Sequence, residues 1–179
     1  MGGIRRINRT LAYEGKILDV YLDDMEFPNG VVEQWDFMSH RKGAAAVLAV
    51  TEDGRVPMVR QYRNALGRFT WEIPAGCRDS ADEAYELCAA RELEEETGYI
   101  AGHIEPLVTV AGAVAYCDEI VPVFLATNLS VGKQHLDPAE FVDVKLFELS
   151  ELEAMIYEQK IQDGKTISAV LAYKNKYCS

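Results

Sequence analysis

Residues 72–99 read EIPAGCRDSADEAYELCAARELEEETGY, and the rest of the chain is organised around them. Pro74-Ala75-Gly76 breaks an apolar, strand-like run, and Gly98 is typical of a helix C-terminus. One helix is expected between the breaks. Asp79, Ser80 or Asp82 can cap it, and Ala84, Leu87, Cys88, Ala89 and Leu93 supply an apolar stripe. Arg91, Glu92, Glu94, Glu95 and Glu96 crowd its last turns. Negative charge there opposes the helix dipole, and like charges at i,i+4 repel, so a purely structural helix would carry Lys or Arg instead. The acids therefore call for a compensating partner. Glu92, Glu95 and Glu96 fall at i, i+3 and i+4, which at about 100° per residue puts three carboxylates in one narrow sector. A hard divalent cation such as Mg²⁺, which takes oxygen ligands and bridges to phosphates, suits such a set. A solvated acidic face is the other reading of the run.

The full spacing is Gly76, six residues, Glu83, seven residues, then Arg91-Glu92-Leu93-Glu94-Glu95-Glu96-Thr97-Gly98-Tyr99. It resembles the Nudix box of the Nudix hydrolase family. The one departure is an extra residue between Gly76 and Glu83, in a loop where an insertion is cheap. The resemblance implies an α/β fold, the Nudix-type α/β/α sandwich with a mixed sheet. It implies that Glu92 and Glu96 are the main ligands of Mg²⁺, with Mn²⁺ as an alternative, and that Glu95 and the Ala75 carbonyl join them. Glu83 and Arg91 have an orienting role in this scheme, since Arg91 can hold a carboxylate in a bidentate fork.

Ahead of the box, Lys16 to Glu26 and Val31 to Met38 alternate as extended runs around the turn Phe27-Pro28-Asn29-Gly30, which predicts an N-terminal β-hairpin. Its Trp35 is either a packing residue or a face on which a base stacks, as a similar tryptophan does in some family members. Residues 43–50, GAAAVLAV, are apolar enough for a strand covered on both faces. Thr51-Glu52-Asp53-Gly54 turns the chain into Val56 to Arg63, expected as the partner strand. There, alternation puts Arg60 and Tyr62 on one face and Gln61 and Arg63 on the other, so one arginine of the pair need face a given pocket. VRQYR followed by WEIPAG resembles the ADP-ribose pyrophosphatase branch of the family, which implies that Arg60, Arg63 and Glu72 lie near substrate. Arginine suits that place because its planar fork matches phosphate oxygens.

Beyond the box, Ile104 to Val114 and Ile120 to Ala126 read as strands joined by Ala115 to Glu119. Relatives that hydrolyse ADP-ribose commonly carry Ser-Pro-Gly where this chain has Ala113-Val114-Ala115, a departure that bears on the substrate. A polar loop, Gly132 to Glu140, ends in Asp137-Pro138-Ala139-Glu140. Glu140 matches a loop glutamate that serves as catalytic base in similar pyrophosphatases, and a solvated turn residue is the alternative. Phe141 to Phe147 follows as a strand, then two helices, Glu151 to Glu158 capped by Ser150 and Thr166 to Tyr177 capped by Asp163.

At 179 residues the chain suits one well-buried unit, residues 41–179, preceded by the hairpin segment 1–40, which is expected to pair in a homodimer as it does in similar proteins. The net charge of −11 argues against nucleic acid or an anionic membrane as partner, while a small phosphorylated substrate remains compatible if cations neutralise it locally. The four cysteines show no zinc spacing. No run reaches the length of a membrane span and the start lacks a signal core, so a cytoplasmic enzyme is expected. The resemblance implies metal-dependent hydrolysis of the pyrophosphate bond in ADP-ribose or a related nucleotide sugar, giving a nucleoside monophosphate and a sugar phosphate. Dinucleoside polyphosphates and other nucleoside diphosphate sugars are the alternative substrates, and a non-catalytic nucleotide-binding module is the alternative class.

Overall fold

The computed structural model describes residues 3–136, 138 and 140–178; Asp137 and Ala139 of the loop ahead of Glu140 lie outside them. The chain opens with β1 (Arg5–Glu14), β2 (Leu18–Glu26) and β3 (Val32–His40), an antiparallel meander with β2 in the middle. β2, β3 and their turn form the expected hairpin, with Gly30 at φ 82° donating its N–H to the Phe27 carbonyl at 2.9 Å. β1 is a third strand that the residue pattern does not signal. Nearly all of it is exposed, so no buried face marks it, and cross-strand pairs fix it instead: Arg5 with Glu26, Asn8 with Asp24 and Arg9 with Asp23.

The central elements are β4 (Ala44–Ala49), β5 (Val56–Arg63), β6 (Arg68–Glu72), β7 (Ala75–Cys77), α1 (Tyr85–Thr97), β8 (Tyr99–Ile100), β9 (His103–Ala111), β10 (Ile120–Thr127), β11 (Ser130–Val131) and β12 (Asp143–Phe147), followed by α2 (Leu149–Tyr157) and α3 (Gly164–Tyr177). The main sheet, in the order β7-β4-β10-β9, is mixed, because β4 and β10 run parallel while the other pairs are antiparallel. Period-two alternation explains why β4 is apolar throughout. Ala45, Val47 and Ala49 pack with Cys88, Ala89 and Leu93 of α1, whereas Ala46 and Leu48 pack with Leu152 of α2 and with Ala169 and Val170 of α3. Helices thus cover both faces of the mixed sheet, the α/β/α sandwich.

The expectation that Val56 to Arg63 partners the preceding strand is corrected. β5 bonds to β6 and β12 in a separate antiparallel sheet, and Val56 and Met58 meet Ala46 and Leu48 across the core instead of along a ladder. Both runs are apolar because the two sheets bury them against each other.

The expected caps of α1 are also corrected. Its N-cap is Ala84, with no side-chain bond, and the loop before it is held by Arg78, which donates to the carbonyls of Lys42, Ala81 and Glu83, and by Glu83, whose Oε2 accepts from Asp79 N at 2.7 Å. Leu87 and Ala84 face solvent; Cys88, Ala89 and Leu93 carry the apolar stripe. Gly98 ends the helix at φ 75° with its N–H on the Glu94 carbonyl. In α2 a capping box of Glu148 and Glu151 replaces the expected Ser150 cap, while Asp163 caps α3 by accepting from Thr166 N at 3.0 Å. No helix among the described residues is long and apolar enough to cross a membrane.

Candidate active site

The acids of α1 meet one wall of a cavity of about 360 Å³, whose other walls come from β5, β7 and the loop after β11. Gln61, Arg63, Gly76, Arg91, Glu92, Glu95, Glu96, His135 and Glu140 all line it. Gly76 is required there by contact: a Cβ at that position would land on the Glu92 carboxylate. Gly76, expected to break the strand run, is instead the central residue of β7, paired with Ala45, and the space in which a box glutamate sits.

Arg91 organises the acids. Its Nε and Nη2 fork onto Glu83 at 3.1 and 3.3 Å, and its Nη1 bridges Glu92 Oε1 at 2.7 Å and Glu95 Oε2 at 2.8 Å. Glu96 is reached by the Ala75 N–H at 2.9 Å and by Gln61 Nε2 at 3.3 Å. The helix end is compensated as well, since Gln134 donates to the Glu96 carbonyl at 2.7 Å and the His135 N–H to the Glu95 carbonyl at 3.0 Å. These bonds clasp the loop leading to Glu140 onto the acid helix.

Burial dominates the electrostatics. Glu92 and Glu96 are 9% and 4% exposed, and loss of water pushes their carboxyls up to about 7 and about 8, despite the Arg91 guanidinium at Glu92 and the Ala75 N–H at Glu96. Among the described residues no three acids, histidines or cysteines converge on one point, and the Arg91 guanidinium is the cation that spans Glu92 and Glu95. The donor set is all oxygen, desolvated and short of positive charge, which is the chemistry a hard divalent cation matches.

The substrate-side expectations separate in space. Arg63 lines the acid cavity; Arg60 does not, lying over the Phe69 ring at 4.7 Å and 3.6 Å from Asp143 of β12. The strand's alternation decides this, so Arg63 is the arginine of the pair that reaches the acid cavity. Glu72 is 2% exposed and stands behind Arg63, whose Nε and Nη2 grip its carboxylate at 2.8 and 2.6 Å. Lys165 and Thr70 complete its shell at 2.6 Å each. Burial alone would raise this carboxyl, but the fork from Arg63 and the Lys165 ammonium overcome it and bring it down to about 2.

Trp35 is elsewhere, in a second cavity of about 230 Å³ with Arg9, Phe37, Val114 and Ala115. The tryptophan and the atypical Ala113-Val114-Ala115 loop thus share one pocket. The loop is tied to β3 by Met38 N to the Tyr116 carbonyl at 2.6 Å, and by Ser39 Oγ and His40 N to Asp118 at 2.8 and 3.0 Å.

Gln61 and Lys165 escaped the sequence reading. Gln61 had a signal, sharing a strand face with Arg63; Lys165 had none, because a lysine in the first turn of a C-terminal helix carries no local mark of what it meets. All four cysteines are free, and burial, with Glu119 and Glu92 nearby, holds the Cys77 thiol above its ordinary value, so this cavity residue is not poised as a thiolate.

A family model for the NUDIX domain matches residues 40–170. The chain is similar to "ADP-ribose pyrophosphatase" of Bacillus subtilis (strain 168), 40% identical over 168 residues that cover 93% of this chain and 90% of that protein. It is similar to "Methanol dehydrogenase activator" of Bacillus methanolicus, 38% identical with the same coverage of 93% and 90%. Among solved structures, one titled "Crystal structure of ADP compounds hydrolase" superposes with a TM-score of 0.87 at 19% identity, covering 98% of this chain and 94% of that one, a likeness of fold.

Proposed function

The chain belongs to the Nudix hydrolase family, and from that premise we propose that it hydrolyses the pyrophosphate bond of a nucleoside diphosphate derivative, ADP-ribose or a related nucleotide sugar, to a nucleoside monophosphate and a sugar phosphate. The observation that carries this is the single cavity in which Glu92, Glu95, Glu96 and Glu140 face Arg63. Acids for a cation and an arginine for a phosphate line one space. Glu92 and Glu96, with Glu95 and the Ala75 carbonyl, would hold Mg²⁺ or Mn²⁺. When bound, such a cation neutralises pyrophosphate charge and makes water a nucleophile.

The protein's own groups do the rest. Arg91, anchored by Glu83, keeps the box acids aimed into the cavity. Arg63, held by Glu72, directs its guanidinium at phosphate oxygens. Glu140 takes the proton from the attacking water, a role supported by its place among the residues that line the acid cavity. A panel of ADP-ribose, other nucleoside diphosphate sugars and dinucleoside polyphosphates, assayed with Mg²⁺ and Mn²⁺, tests the reading. Tight nucleotide binding with no product at either metal would favour the binding-module class instead. The second group of substrates is kept because Val114 and Ala115, where ADP-ribose relatives commonly have Pro and Gly, line the Trp35 cavity.

Gly76→Ala should leave the fold intact, with Tm within a few degrees of wild type, because the methyl meets only the movable end of Glu92. By displacing that carboxylate it should weaken Mn²⁺ binding about ten- to a hundredfold. Unchanged Mn²⁺ affinity by calorimetry would remove Glu92 from the ligand set.

Segment 1–40 is proposed to pair two chains, in a cytoplasmic homodimer. Support comes from β1 and the residue before it, where Ile4, Ile7, Leu11 and Tyr13 are all exposed, and from Trp35, which lies apart from its own chain's acid cavity. Light scattering should give twice the chain mass, and deletion of residues 1–14 should halve it. A monomeric full-length protein would contradict the pairing.

A further inference from the structure

We propose that Lys165 is a substrate-positioning residue, presenting a second cation beside Arg63 to the phosphoryl group that the acid cavity does not hold. This rests on the hydrolase reading above. Lys165 lies in the first turn of α3, more than a hundred residues from Arg63 in the chain, and its Nζ reaches Glu72 Oε2 at 2.6 Å and Asp163 Oδ1 at 2.9 Å. Its placement is built from both sides. Asp163 caps α3 through Thr166, and the buried Thr166 hydroxyl accepts from Ile73 N at 3.0 Å, docking the helix start on the corner between β6 and β7.

Lys165 also lines a cavity of about 260 Å³ with Arg63, Gly76, Cys77 and Glu119. Arg63, Gly76 and Cys77 line the acid cavity as well, so the two spaces adjoin at these residues, with the box glutamates lining one and Lys165 and Glu119 the other.

Two features separate Lys165 from an ordinary buried ion pair. Glu72 is already satisfied without it, because the Arg63 fork and the Thr70 hydroxyl supply three donors to its two oxygens. Arg63 and Lys165 face Glu72 and Asp163, two cations against two carboxylates, so the ammonium is held in place by a balanced set of partners. An ammonium carries three N–H groups, and the bonds to Glu72 and Asp163 use two, so one is available to the cleft that the side chain lines. A phosphoryl oxygen, which can take that third N–H as a charge-assisted hydrogen bond, is the ligand group it serves.

Steady-state kinetics of wild type, Lys165→Gln, Lys165→Met and Lys165→Arg on ADP-ribose with Mg²⁺ tests this, each protein being checked by thermal melting. The neutral variants should raise KM about ten- to a hundredfold, the loss of a charged hydrogen bond, while kcat moves less than about threefold. Arg should bring KM back toward wild type. Inhibition by AMP or by ribose 5-phosphate should weaken in parallel, and the product affected identifies the phosphoryl group held. A lower Tm with unchanged KM and product inhibition, or failure of both neutral variants to fold, makes Lys165 a purely structural residue and overturns the proposal. A wild type that turns over no nucleoside diphosphate derivative would instead sink the hydrolase reading itself.

Discussion

Glu96→Gln is expected to lower kcat/KM for Mg²⁺-dependent hydrolysis about a thousandfold while the protein stays folded. The loss follows from removing an anionic ligand where a cation offsets several kcal/mol of developing phosphate charge. The fold should survive because the carboxyl is 4% exposed and pushed up to about 8, so without a cation it is mostly protonated at neutral pH and an amide is close to isosteric and isoelectronic with it. The amide oxygen can still accept the Ala75 N–H. The measurements are the rate at saturating Mg²⁺ and a thermal melt in chelator. Turnover near wild type in a folded variant would dismiss the acid cavity as the reactive centre.

Glu72→Gln has the other large effect, on stability. The carboxylate is buried under Arg63 and Lys165, and one partner removed from such a group costs about 3 kcal/mol. Its depressed carboxyl gives a similar figure, since a fall from 4.5 to about 2 corresponds to about 3 kcal/mol. The sign fixes the pH window. A carboxyl lowered in the folded state stabilises above its unfolded value and loses that contribution as pH falls through the folded one. The deficit of the variant should therefore be full at pH 7, shrink below about 4.5 and nearly vanish near 2. Urea unfolding of both proteins at pH 7 and pH 3 measures it; a deficit independent of pH would show that packing, not charge, is what Glu72 contributes.

Much of the site was legible because it is local. Glu92, Glu95 and Glu96 share a helix sector by spacing alone, Gly98 ends that helix by its freedom at positive φ, and Arg63 parts from Arg60 by strand alternation. What failed depended on long-range partners. The loop into α1 is held by bonds of Arg78 and Glu83, so Ala84 stands at the cap with no side-chain bond, and at α2 Glu148 accepts from the Glu151 N–H in place of Ser150. The partners of Glu72 were not legible either, because Arg63 and Lys165 arrive from β5 and α3.

The sequence by itself determined the helix and its charge pattern, since residue spacing along one element is preserved whatever the element packs against, and the resemblance of that pattern to the Nudix box implied the reaction class. Only the tertiary structure decided which strands pair, that β5 belongs to a second sheet, that Gly76 makes room for Glu92, and that Trp35 meets the Ala113 to Ala115 region in a cavity of its own. Those facts arise where segments far apart in the chain exclude water from one another, and the free energy of that burial belongs to the pair and is written in neither segment alone.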